Sequence, residues 1–299
     1  MNNLKKIFLK IWDEFFINVK AFNIRRESKL LIMTVEDTIE YIKRHKCSIS
    51  RYGDGEFDIM IQKGEPNFQK RNPELSLKLI EVFKCSSSNL LICLPQTLIK
   101  TRGLNSFAKK FWNWWAIQKQ NDVVYMIKNN IDINYRFGNA YVSRPYSAYR
   151  SRKFSKNVFT SLKQLWNDLD ILIVEGERTC LGVGNDLFNN TRSIKRILAP
   201  STNAFDLYDK IKESVIENWN NELVILALGP TATILAYDLS QLNIQALDLG
   251  HIDIQYEWYL KGQSYVQVDG KFTNESKNSE NIIECDDLMY KSSIIDRIY

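Results

Sequence analysis

No two of the five cysteines (Cys47, Cys85, Cys93, Cys180 and Cys285) form a CxxC pair, and their number is odd. That pattern argues against a structural zinc site and a disulfide-stapled secreted scaffold, so a reducing, cytoplasmic compartment is expected. Histidine is nearly missing, with only His45 and His251, and proline is scarce, six in 299 residues. No Pro-, Gly- or Ser-rich linker divides the chain. There is also no apolar run of about 20 residues, the length that spans a bilayer. Charge of one sign is lacking as well: 40 Lys+Arg face 35 Asp+Glu, a formal +5. Residues 1–29 hold seven basic and three acidic side chains, while the other 270 residues hold 33 and 32. A body so close to neutral, without a recognised binding motif, speaks against nucleic acid as a partner.

What is present is apolar surface, 44% of residues, enough for a sizeable core without staples. In the first 22 residues Leu4, Ile7, Phe8, Ile11, Phe15 and Phe22 recur at three- and four-residue spacing, which predicts an amphipathic helix with basic flanks. Charges interrupt every apolar run and no small-residue cleavage site follows, so it is not a signal peptide. Two roles stay open for it: lying at the inner face of the cell membrane as a peripheral contact, or packing on its own domain. The division expected is a basic helix over 1–29 and one catalytic domain over 30–299.

Beyond residue 30, short apolar runs (47–50, 90–94, 171–174, 197–198, 223–228, 244–247) alternate with amphipathic helical stretches (34–44, 74–84, 104–118, 155–168, 204–219, 232–242). Strands apolar throughout, separated by helices, predict an α/β, Rossmann-like, mostly parallel sheet covered by helices on both faces. Ligands of such sheets bind at the carboxyl ends of the strands, so the chemistry should lie in the loops there.

Those loops are rich. Ser50-Arg51-Tyr52-Gly53-Asp54-Gly55-Glu56 places Asp54 and Glu56 where, in a loop, both could turn toward one Mg²⁺ or Mn²⁺, with Arg51 and Gly53 beside a phosphate. Asp248 to Trp258 carries His251 as a metal ligand or proton carrier, and Asp253 and Glu257 four apart on a helix face. Like charges at that spacing repel, unless a cation, hydroxyl or proton is shared between them. Glu175-Gly176-Glu177 and Gly182-Val183-Gly184-Asn185-Asp186 fall short of a dinucleotide fingerprint, but Glu177, Asn185 and Asp186 offer contacts to a base or sugar. Gly229-Pro230-Thr231 opens a helix whose free N–H groups, with the Thr231 hydroxyl, suit a phosphate. Arg144, between Tyr141 and Tyr146, can clamp a diphosphate. Residues 111–115, FWNWW, read as helix core rather than as a sugar platform, and residues 270–284 as an exposed polar segment.

Taken together, RYGDGE, SRPY, EGE with GVGNDLF, ALGPTAT and DLGHIDIQYEW, in that order, resemble the GT-D-type glycosyltransferases over residues 34–275. The resemblance implies a single Rossmann-like domain that transfers a hexose, typically glucose, from a UDP-sugar to a glycan or lipid-linked glycan acceptor with a divalent metal. It maps the family's D-x-E motif onto Asp54 and Glu56. The residue chemistry is compatible: Asp54 and Glu56, with His251, hold the metal, Arg144 and the 229–233 turn hold phosphates, and Asp253 ahead of Glu257 takes the acceptor proton if inversion occurs. A metal-dependent phosphoesterase acting on a sugar nucleotide would use the same groups, and a non-catalytic nucleotide- or glycan-binding module would need none of the proton chemistry.

Overall fold

The computed structural model describes residues 2–64, 69–85, 87–132, 134–273, 275 and 285–299, with side chains from residue 12 onward. It opens with α1 (Asn2–Ser28), then β1 (Leu31–Ile32), α2 (Val35–His45), β2 (Ser48–Arg51), α3 (Asp54–Met60), α4 (Pro73–Val82), β3 (Leu90–Leu94) and α5 (Ser106–Trp115). A π-turn over Ala116–Gln120 carries α5 into α6 (Asn121–Asn130), followed by β4 (Arg136–Asn139), α7 (Arg152–Lys163), β5 (Asp170–Gly176) and β6 (Ser193–Ala199). The remainder is α8 (Tyr208–Asn218), β7 (Leu223–Ala227), α9 (Pro230–Gln241), β8 (Ala246–Asp248), α10 (Ile252–Lys261), α11 (Leu288–Ser293) and β9 (Ile294–Arg297).

The strands form one sheet in the order β1-β4-β3-β2-β8-β7-β5-β6-β9, every neighbouring pair parallel. The expected α/β architecture is therefore present, and the reason the strands read as unbroken apolar runs is visible. Leu90, Ile92 and Leu94 of β3 face one core while Leu91 and Cys93 face the other. The same alternation splits Leu172 and Val174 from Ile171 and Ile173 in β5. Helices α4, α6, α8 and α9 cover the first face and α2, α7 and the start of α10 the second. Thr34 caps α2 as anticipated, its Oγ1 accepting from Asp37 N at 3.0 Å. All five cysteines are free thiols.

The second half of α1 is fastened to the domain. Ala21 and Arg25 are buried, and the Arg25 guanidinium donates to Thr97 O at 2.7 Å and Trp112 O at 2.9 Å. On its other side Phe15, Phe16 and Phe22 are exposed. Trp112 and Trp115 of α5 are buried, as a helix core requires, but Phe111 and Trp114 reach the surface.

Candidate active site

The carboxyl ends of β2, β5, β6, β7 and β8 surround a cavity of about 310 Å³, touched by Arg51, Gly176, Pro200, Ala227 and Gly250. Its position follows from the topology: β2 leads outward through β3 and β4, while β7 and β8 fill the gap beside it, so loops part at the centre of the sheet.

Arg51 closes the seam between β2 and β8. Its backbone N–H donates to Asp248 Oδ2 at 3.1 Å, its Nε to Asp248 O at 2.5 Å and its Nη2 to Asp248 Oδ1 at 2.7 Å. Gly250 is needed there, because a Cβ would sit 2.5 Å from Arg51 Nη2 and its φ is +34°. Arg51 lines the cavity, with its guanidinium committed to Asp248.

Asp54 and Glu56 do not share a loop, as the sequence suggested. They occupy the first turn of α3, and Glu56 folds back so that Gly53 N donates to its Oε2 at 2.7 Å. Glycine before a helix start and an acid at the third helical position make a capping arrangement, which outcompetes an open loop. Burial, with the charge of Asp248 nearby, lifts the Glu56 carboxyl to about 7. Asp54 is reached by solvent from the cavity, and the surrounding walls still raise its carboxyl above the usual range against the pull of Arg144. Among the described residues Asp54 enters no ion pair.

Across the cavity, Arg144 follows β4, with Nη2 3.2 Å from His251 Nε2 and in contact with Glu275. His251 Nε2 is also 3.2 Å from Glu275 Oε1. Against the effect of burial, Arg144 and His251 pull the Glu275 carboxyl down to about 2.

Asp253 lines the cavity and is buried, accepting from Gly182 N (3.0 Å), Asn185 Nδ2 (2.8 Å) and Lys271 Nζ (2.6 Å). Glu257 accepts from the same Asn185 and Lys271 groups, at 2.7 and 3.1 Å, and is not among the residues that line the cavity. The cation that the repelling pair on α10 called for is thus the Lys271 ammonium. Burial works against its charge, and the two carboxylates nonetheless hold its pKa above the ordinary lysine value.

Several expectations need correction. Glu177 is exposed and outside the cavity wall, whereas the fully buried Glu175 pairs with Arg196. Asp186 is on the surface, held by Lys163 and the Tyr256 hydroxyl at 2.7 Å each. Asn185 orients Asp253 and Glu257 rather than lining the cavity. Gly229 does line it, with φ +55° at the N-cap of α9, but Thr231 is fully buried, does not line the cavity, and its Oγ1 finds no hydrogen-bond partner among the described residues. The segment read as exposed from residue 270 instead turns inward: Lys271 and Thr273 are buried and, with Phe272 and Glu275, form a cavity wall. Residues 276–284 lie outside the described residues. The sequence reading missed Lys271 and Glu275, which carry no motif and stand in a polar stretch, so that only the repulsion between Asp253 and Glu257 hinted at a cation.

Residues 49–276 match the family model described as glycosyltransferase GT-D fold. The chain belongs to the GT-D glycosyltransferase family. It is 38% identical over 271 residues, 90% of its length, to a probable glycosyl transferase Gly of Streptococcus gordonii, and 34% identical over 267 residues to glycosyltransferase GlyD of Streptococcus pneumoniae serotype 4. It spans only 39% and 32% of those two relatives. A solved structure of domain of unknown function 1792, described as having a distinct glycosyltransferase fold, superposes with a TM-score of 0.84 at 35% identity, over 92% of this chain and 98% of that one.

In this GT-D domain, among the described residues, no three His, Cys, Asp or Glu side chains stand ready as a metal cluster. The donor chemistry nevertheless fits a hard divalent cation: Asp54 offers a carboxylate that enters no ion pair among the described residues, Glu56 has Oε1 beside its capped Oε2, and His251 lines the same cavity.

Proposed function

We propose that this domain transfers a hexosyl group, glucose in the first instance, from a UDP-sugar to a hydroxyl of a glycan or glycoconjugate acceptor, with Mn²⁺ or Mg²⁺. The observation that carries the reading is the convergence of Asp54, Arg144, His251 and the start of α9 on one cavity at the strand ends, in a chain of a glycosyltransferase family. Asp54 and Glu56, with His251, would hold the metal, which supplies Lewis-acid neutralisation of the diphosphate leaving group.

The protein's own groups supply the rest. Backbone N–H groups behind Gly229 at the α9 N-terminus receive a phosphate, and Arg144 a second. Glu275 fixes the Arg144 guanidinium, and Arg51 with Asp248 keeps the β2 and β8 ends at a set distance. Asp253, paired with Lys271, accepts the acceptor proton if the reaction inverts the anomeric centre, while Glu257 and Asn185 position Asp253 and Lys271.

The test is incubation with UDP-glucose and Mn²⁺, with and without glycan acceptor, read by product mass. A mass gain of one hexose on the acceptor is expected, and acceptor-independent turnover at full rate, with UMP and hexose 1-phosphate as products, would instead identify a phosphoesterase. The Asp54→Asn/Glu56→Gln double variant keeps its circular dichroism and loses metal-stimulated transfer. Unchanged transfer by that variant would eliminate catalysis at this cavity.

A further inference from the structure

A second cleft, of about 240 Å³, adjoins the strand-end cavity at Asp54. Five residues line both: Arg51, Gly53, Asp54, Arg144 and Glu275. From that charged junction the cleft runs outward between α5 and the loop after α10. Its lining becomes aromatic, with Phe107, Phe111 and Trp112 on α5 and with Tyr265. Phe107 and Tyr265 pack against each other, ring centroids 5.5 Å apart and 59° between planes, and make one continuous aromatic wall. Both are substantially exposed, Phe107 at 66% and Tyr265 at 38%.

The wall is built. Tyr265 holds φ +63°, a conformation costly for a bulky residue. It is kept there by its contact with the Trp258 ring, at 5.2 Å, and by Trp258 Nε1, which donates to Val266 O at 2.7 Å. On the other side Ser147 is fixed by Gln255, whose Nε2 donates to Ser147 Oγ at 2.8 Å and whose Oε1 accepts from Ser147 N at 2.8 Å.

The geometry points to this cleft as the acceptor subsite, taking a pyranose ring of a glycan against the aromatic wall that Phe107, Phe111 and Tyr265 form and delivering its hydroxyl to the junction at Asp54, Arg144 and Glu275. The inference rests on the donor reading given above for the adjoining cavity. Pyranoses have apolar C–H faces and a polar rim, and this cleft matches both, with an aromatic wall and charged or hydroxyl groups at its inner end. A lipid tail would satisfy the rings and leave the charged end unmatched. Continuity with the donor cavity supplies the remaining argument, since an acceptor must enter from a side the nucleotide does not fill.

The test uses the full chain, UDP as donor-site probe and a panel of methyl and para-nitrophenyl hexosides as acceptor probes. UDP affinity is read by calorimetry, hexoside binding by saturation-transfer NMR, and transfer by kinetics with the acceptor varied. Phe107→Ala should raise the acceptor KM, or weaken hexoside binding, by about tenfold, the scale of one lost aromatic contact, with UDP affinity unchanged. Phe107→Tyr should restore it. Unchanged hexoside binding and acceptor KM in Phe107→Ala overturns the assignment, as does a wild-type protein that binds UDP but no hexoside. Loss of binding to phosphatidylglycerol vesicles in that variant, with hexoside kinetics intact, gives the cleft to lipid and also overturns it. Hexoside binding that depends on Phe107 in a protein without UDP affinity would leave the cleft standing and remove the donor reading alone.

Discussion

Lys271 shows how the site holds charge in a nearly closed space. Its ammonium, 4% exposed, lies between Asp253 and Glu257, and no other cation is bonded to either carboxylate among the described residues. Lys271→Met leaves two buried carboxylates sharing only Asn185 as a donor, a loss of about 3–5 kcal/mol in stability at neutral pH. The sign with pH is fixed by the same picture. Against burial, the two carboxylates raise the ammonium's pKa above the ordinary lysine value, so its contribution is present in full at neutral pH and is lost as pH rises through that raised value. The gap between wild type and variant in urea midpoint should therefore be large near pH 7 and shrink above about pH 10. A gap independent of pH would mean that Lys271 only fills space. At this scale the sequence was half legible. Asp54, Gly229, His251 and Asp253 stand in glycine turns that leave strands, where a reader looks, Arg144 stands between two tyrosines, and all five line the cavity. Lys271 and Glu275 come from a polar stretch after α10 with no periodicity, and their burial depends on long-range packing that no local pattern encodes. Glu177 and Asp186 were misplaced because proximity to glycine says that a loop is tight, not which of its side chains turns inward.

Elements that could be read were those buried on both faces: β3, β7 and the 171–174 stretch of β5 are apolar at every position. β4 escaped notice because its sequence, Arg-Phe-Gly-Asn, is neither apolar throughout nor alternating. Its Gly138 is required by close approach, since a Cβ would meet Cys93 Sγ at 2.5 Å. The edge strands β1 and β9, of two and four residues, are too short for periodicity to register. The outer edge is tied in by a buried charge instead. Arg196 on β6 donates to Glu175 Oε1 on β5 at 2.5 Å, to Leu181 O at 2.8 Å and to Ser293 Oγ at the end of α11 at 3.1 Å. Glu175 in turn accepts from Leu181 N at 2.7 Å, so one ion pair joins the sheet, the 176–188 loop and the C-terminal α11–β9 unit. Arg196→Met should cost about 3–5 kcal/mol, because the buried Glu175 carboxylate is left alone, and Glu175→Met/Arg196→Met should recover much of it. Thermal denaturation of the two variants decides: a double variant no more stable than the single one would show that packing of the arginine stem, not stranded charge, sets the loss.

At the scale of the whole molecule, charge and apolar surface are distributed unevenly in the same direction. The +4 of residues 1–29 sits on a helix whose inner side is docked through Arg25 and whose outer side exposes Phe15 (56%), Phe16 (60%) and Phe22 (63%). Docking on the domain, one of the two roles left open in the sequence, thus uses one side of the helix and leaves the aromatic side exposed. Trp114 on α5, against which α1 packs, is exposed as well at 53%. No described helix is long and apolar enough to cross a bilayer. Exposed aromatics beside Lys20 and Arg26 motivate a prediction, that this side of the helix binds the headgroup region of an anionic membrane. Truncation is the wrong probe, because removing Arg25 would empty its buried hydrogen bonds to Thr97 and Trp112. The full-length Phe15→Ser/Phe16→Ser/Phe22→Ser variant alters only exposed side chains and should keep its melting temperature. It should lose co-sedimentation with phosphatidylglycerol-containing vesicles, and wild-type binding should weaken as salt is raised, since the basic contribution is screened beyond about 10 Å at 0.1 M. Equal sedimentation of the two proteins would assign the aromatic face to a protein partner rather than a membrane.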